Sequence, residues 1–171
     1  MTEQQEASPD AVMTRIGQAI MLLHAGDREE ARNRLGAIWT EIGAHGDPLH
    51  RCTLAHYMAD AQDDPADELA WDLRALNAAD GLADDRPAGR EPAAPVRSLY
   101  PSLHLNLAAD YLKVQRPEAA RVHLARARAA SANLPDDGYG NGVRAAIARL
   151  EHRLGPDGGG TGPGTYPGRF T

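Results

Sequence analysis

The sequence predicts an all-α fold made of helix-turn-helix hairpins, and three observations carry that prediction. Alanine supplies much of the 42% apolar content, aromatics reach only 5% and valines are few, a composition that suits closely packed helices and not sheets. Helix starts are written as an acid or serine followed by proline, at Ser8-Pro9, Asp47-Pro48 and Asp64-Pro65, with Arg116-Pro117 using the proline alone. Proline at the first helical position costs no hydrogen bond, because that N–H has no intrahelical acceptor. Between these starts, apolar residues recur at three- and four-residue spacing, the period of one helix face.

Residues 1–7 are polar and predict a disordered N-terminus, ahead of a helical domain over 8–154. The first hairpin, about 8–44, opens at Ser8-Pro9-Asp10, turns at Gly26, and starts its second helix at Asp27 with Glu30 positioned for a capping box. The second, about 47–80, has two registers. The preferred one places Leu54, Ala55 and Met58 on the buried stripe, and the other, shifted by one, places Tyr57 there. In its second helix Leu69, Leu73 and Leu76 form an i, i+4, i+7 stripe with Trp71 on its flank. Residues 81–96 hold Pro87, Pro92 and Pro95 and predict a surface loop, inert or partly covering a groove. The third hairpin occupies about 97–131. A capping helix follows over 136–154, striped by Val143, Ile147, Leu150 and Leu154. The glycine- and proline-rich segment 155–171 predicts a disordered tail that includes the sole phenylalanine, Phe170.

The third hairpin has the clearest spacing. His104, Leu107, Ala108, Tyr111, Ala120, Leu124 and Ala127 fall at the offsets that define one tetratricopeptide repeat, and in this respect the chain resembles that family. The first hairpin keeps the same metric, since Leu22 to Ala31 and Tyr111 to Ala120 are both nine residues. The resemblance implies a right-handed stack of about three hairpins, with a concave surface lined by the first helix of each, and reversible binding of a protein or peptide client there. Repeat spacing departs from the family's usual period of about 34 residues, because the 81–96 insertion lengthens the second interval.

Carrying the family's groove positions onto this chain gives, on the third hairpin, Ser102, Leu105, Asn106, Ala109, Leu112 and Lys113. Asn106 is suited either to an extended peptide backbone or to a bond with a neighbouring hairpin. The second hairpin supplies Cys52, His56 and Asp60, which share a helix face at i, i+4, i+8. On the first hairpin the positions are the largely apolar Met13, Ile16, Gly17, Ile20, Leu23 and His24. An apolar set of this kind leaves a homodimer open as an alternative. A different class of function, a metal- or thiol-dependent sensor or enzyme, would centre on Cys52 and His56, with His24 or His104 as a further metal ligand. Three side chains on successive turns of one straight helix point nearly parallel, which disfavours both chemistries. Gly138-Tyr139-Gly140-Asn141-Gly142 matches a phosphate loop only weakly, lacking a preceding strand and a following Lys-Ser/Thr. No catalytic motif of the His-Glu-x-x-His, Gly-x-Ser-x-Gly or paired-cysteine type is present, so the expectation is a non-enzymatic scaffold with no cofactor and no bound metal.

The net charge of −6 gives no electrostatic reason to expect nucleic acid. Nine acids between Asp60 and Asp85 face Arg74 alone, while basic residues predominate from Lys113 to Arg153. Lys113 is the only lysine beside seventeen arginines, a bias expected to reflect codon usage. A single cysteine, an acidic polar start and the lack of any apolar run of about 18 residues predict a cytoplasmic protein without a membrane segment.

Overall fold

The structure, a computed structural model, describes residues 9–84 and 94–155. The expected disordered ends, Ser8 and the middle of the expected 81–96 loop lie outside the described residues. Seven helices follow one another: α1 (Pro9–His24), α2 (Arg28–Ile42), α3 (Pro48–Asp60), α4 (Pro65–Asp84), α5 (Ala94–Lys113), α6 (Pro117–Ser131) and α7 (Gly138–Leu154). No strand occurs among the described residues, so the fold is all-α. Consecutive helices pack together, most extensively α3 on α4, α4 on α5 and α5 on α6, and α7 leans on both α5 and α6.

Helix boundaries follow the capping chemistry. The Asp47 carboxylate accepts from the N–H of Leu49 (2.8 Å) and His50 (3.4 Å), and Asp64 from Ala66 (2.7 Å) and Asp67 (3.4 Å). Asp27 accepts from the Glu30 N–H, but the capping box is half made, because Glu30 turns outward to Arg34 (2.8 Å). Two helix ends match bond for bond. At the end of α1 the Asp27 N–H reaches the Leu22 carbonyl (2.9 Å) with Gly26 at φ 93°, and at the end of α5 the Arg116 N–H reaches the Tyr111 carbonyl (2.8 Å) with Gln115 at φ 62°.

Two sequence expectations change, and a weak motif match is resolved. The loop expected over 81–96 is shorter, since α4 runs on to Asp84 and α5 begins at Ala94, carrying Pro101 inside it. Proline density pointed to a loop; here Pro101 removes one ladder hydrogen bond and is kept within the helix by complete burial. The Leu69-Leu73-Leu76 stripe is not the buried face of α4: Leu73 is exposed, and Glu68, Asp72, Ala75 and Ala79 point inward, one register step away. Gly138–Gly142 is the first turn of α7, where Asp137 caps the Gly140 N–H (2.8 Å) and a Cβ on Gly140 would overlap the Pro135 carbonyl oxygen. Close backbone approach therefore accounts for Gly140 without a phosphate.

The arginine excess has a structural use. Arg28 and Arg32 of α2 donate to the carbonyls of Gln62 (3.0 Å) and Ala61 (3.1 Å) past the end of α3 and are tied there by Asp63. Those hydrogen bonds, Arg32's first, hold the Asp63 carboxyl below its usual range. Arg51 donates to the Gly43 carbonyl, Arg144 to those of Ser131 (3.1 Å) and Leu134, and Arg121 to those of Leu154 (3.1 Å) and Gly155 (3.0 Å). A planar fork satisfies the carbonyls that a helix end leaves over, a task the single ammonium of lysine does less well. Arg51 and Arg74 also lie over Trp39 and Trp71, whose rings meet edge to face at 5.2 Å and join α2 to α4.

Candidate functional site

The inner-helix positions divide into a sealed set and an open set. On α5, residues 101–108 are all buried. Leu105, Ala109 and Leu112 pack into the cluster formed with Leu124, Leu134 and the α7 stripe of Val143, Ile147, Leu150 and Leu154. Ser102 bonds to the Leu99 carbonyl (3.0 Å), Asn106 is only 2% exposed, and Lys113 is engaged with Glu68 at 2.7 Å. Of the residues expected to line an open groove, Ser102, Leu105 and Asn106 are buried, while Ala109 and Lys113 are half-buried. The closing helix α7 and the acids of α4 pack against that face.

On α1, Ile16 and Leu23 are also interior, in the core instead of a groove. Ile16 joins Val12, Ala19, Leu35, Ile38, Leu54 and Met58 in the cluster that unites α1, α2 and α3. Burial of Leu54, Ala55 and Met58 agrees with the first of the two registers for the second hairpin. Cys52 is interior as well. Burial pushes its thiol up to about 12, with a smaller push from Asp72, so the sulfur stays protonated near neutral pH and does not offer a thiolate nucleophile. Among the described residues no group of three or more His, Cys, Asp or Glu is placed to hold a metal ion.

What remains open lies where α1 meets α3. Met13, Gly17 and Ile20 are half-buried and His24 is exposed, while His56, Tyr57 and Asp60 are half-buried on α3. Tyr57 connects the two helices: its ring meets His24 edge-on at 6.5 Å and His56 at 5.1 Å. Of the residues expected in a groove, the structure thus brings Ile20, His24, His56 and Asp60 to one surface, grouped about Tyr57. Leu49 at the start of α3 and Met21 on α1 are exposed apolar side chains of the same two helices, Met21 at 71%. This surface mixes imidazole, phenol, carboxylate and aliphatic groups, the composition of a contact patch.

No protein-family model, curated protein or solved structure matches the chain. Among the described residues no helix is long and apolar enough to cross a membrane.

Two buried polar centres were not foreseen. Between α5 and α6, His104 and His123 bring their Nδ1 atoms to 3.0 Å with rings nearly coplanar (25°). Nitrogens so much closer than the 5.3 Å ring centroids mean the imidazoles meet edge to edge, one donating and one accepting. Burial lowers both, His104 to about 4, so the pair is neutral at neutral pH. Between α4 and α5, Glu68, Asp72 and Asp110 are enclosed with Lys113. A signal for these acids exists in the sequence. Glu68, Asp72 and Ala75 reproduce the spacing of Ala31, Leu35 and Ile38 and of Ala120, Leu124 and Ala127 once the turn before them is allowed one extra residue.

Proposed function

We propose that the chain is a non-enzymatic protein-interaction module, a degenerate tetratricopeptide-like stack that binds a peptide or protein partner on the α1–α3 surface. The observation that carries this reading is the division of the inner helices, with the α5 face filled by α7 and by α4 acids while the patch around Tyr57 stays accessible. Matching turns at the ends of α1 and α5, and burial of Leu107, Ala108, Ala120, Leu124 and Ala127 at the repeat's packing positions, support the stacked-hairpin architecture. A protonated, enclosed Cys52 weighs against thiol chemistry. On the first hairpin, enclosure of Ile16 and Leu23 leaves less apolar surface for a homodimer.

Selection of a displayed peptide library on the immobilised full chain tests the reading. Enriched peptides are expected to bind a His24→Ala/His56→Ala variant at least tenfold more weakly, a loss of about 1.4 kcal/mol. His24 is exposed and His56 half-buried, so the variant's circular dichroism and melt are compared with the native chain's before binding is read. Peptides bound equally by both proteins would overturn the assignment of this surface.

A further inference from the structure

Three carboxyl groups and one ammonium share the space between α4 and α5. Asp72 and Asp110 are each 1% exposed and Glu68 is 7% exposed. The Lys113 ammonium of α5 sits 2.7 Å from Glu68 of α4, and Asp110, three residues before Lys113, and Asp72, four after Glu68, flank that contact within interaction range of each other. Ionised carboxylates only accept hydrogen bonds, so a bond between two carboxyls contains a proton. Charge leads to the same result. With every carboxyl ionised, the centre would bury two negative charges beyond what Lys113 neutralises, and an uncompensated buried charge is among the costliest things a fold can hold.

We infer that a proton held between Asp110 and Asp72 latches α4 to α5, and that losing it loosens the second hairpin from the third, making this interface a pH-sensitive element of the scaffold. Among the described residues, the groups that act on the pair are Glu68 on α4 and Lys113 on α5, while the Cys52 thiol presented by α3 faces the pair and is itself pushed up by Asp72. No charged group of α6 or α7 contributes to either aspartate. Burial, the leading cause for both, pushes the two carboxyls above the carboxylate range, and Glu68 pushes the same way. Opposing them on Asp72 are the hydrogen bond from Asp110 and, after it, the charge of Lys113, which also pairs with Glu68.

Glu68 and Asp72 stand where the other two hairpins place Ala31 and Leu35, and Ala120 and Leu124. Alanine and leucine at those positions would join the helices without regard to pH. The acids make the same contact conditional on a proton. A native pKa raised above the unfolded value gives stability that is complete below the ordinary carboxylate pKa of about 3.9 and declines as pH rises. Each retained proton lowers the closed-to-open ratio by up to about tenfold per pH unit.

The test uses Cys52, which is 2% exposed in the same enclosure and becomes accessible when the interface opens. Its labelling by an uncharged thiol reagent is followed from pH 7 to 8.5, a window in which both histidines are already neutral. Each rate is divided by that of an Asp110→Asn variant at the same pH, which cancels the ionisation of the thiol itself. Asparagine keeps the shape and a donor but does not titrate. The ratio is expected to rise by up to tenfold per pH unit, and a ratio constant with pH would overturn the latch. Should the variant not fold, carboxyl-carbon resonances of the wild-type aspartates decide. One that remains protonated above pH 6 supports the inference, whereas complete ionisation of all aspartates by pH 6 refutes it.

Discussion

Leu124 shows what a single side chain contributes here. It is enclosed between α5, α6 and α7 in contact with the cluster of Leu105, Leu134, Val143 and Leu150. Truncating it deletes apolar contacts and leaves a cavity that helices tied at both ends can only partly close. Leu124→Ala is expected to cost about 2–5 kcal/mol, measured by urea unfolding. Its burial was legible in the sequence, because its offsets from Ala120 and Ala127 are those of a packing face. That of Asp72 was legible in spacing alone: it falls where Leu35 and Leu124 do, but an aspartate there reads as solvated, and Leu73 beside it offers a more ordinary core residue. The leucine is the core residue expected from sequence, while the structure encloses the acid because Asp110 and Lys113 arrive from α5 to offset it. Such tertiary compensation has no local signature.

At the scale of elements, helix ends carry much of the specification. Asp47, Asp64 and Asp137 cap as their sequence positions foretell, since an N-cap is a local arrangement within four residues. Arginine capping of carbonyl ends was invisible to sequence, for it joins residues as far apart as Arg28 and Gln62. The turn after α5 permits a quantitative check. Gln115 holds the left-handed conformation that Gly26 holds after α1, and a side chain there costs about 1–2 kcal/mol. Gln115→Gly should raise stability by about 0.5 kcal/mol, the relief being partly offset by the freedom glycine gives the unfolded chain. A loss of stability on thermal melting would mean that Gln115 makes contacts outweighing its strain.

For the whole molecule, two enclosed polar centres oppose one another in pH. The folded His104 pKa lies below its unfolded value, so its contribution is fully present above about pH 6.5 and is lost as pH falls towards about 4. The Asp72–Asp110 centre acts in the reverse sense and weakens as pH rises. Stability should therefore pass through a maximum on the acid side of neutrality. A His104→Gln variant, which can still offer His123 a hydrogen bond, should lose less stability between pH 6.5 and 4.5 than the wild type, as read from urea midpoints. Equal losses would remove His104 as the cause.

The claim on which the functional reading depends is that a partner meets the α1–α3 surface and not the α5 face. Amide chemical-shift mapping of the full chain with a selected peptide addresses it most directly. The account predicts shifts concentrated on α1 and α3 around Ile20, His24, His56, Tyr57 and Asp60. Shifts centred instead on Leu105, Ala109 and Leu112 of α5, with release of α7, would contradict it.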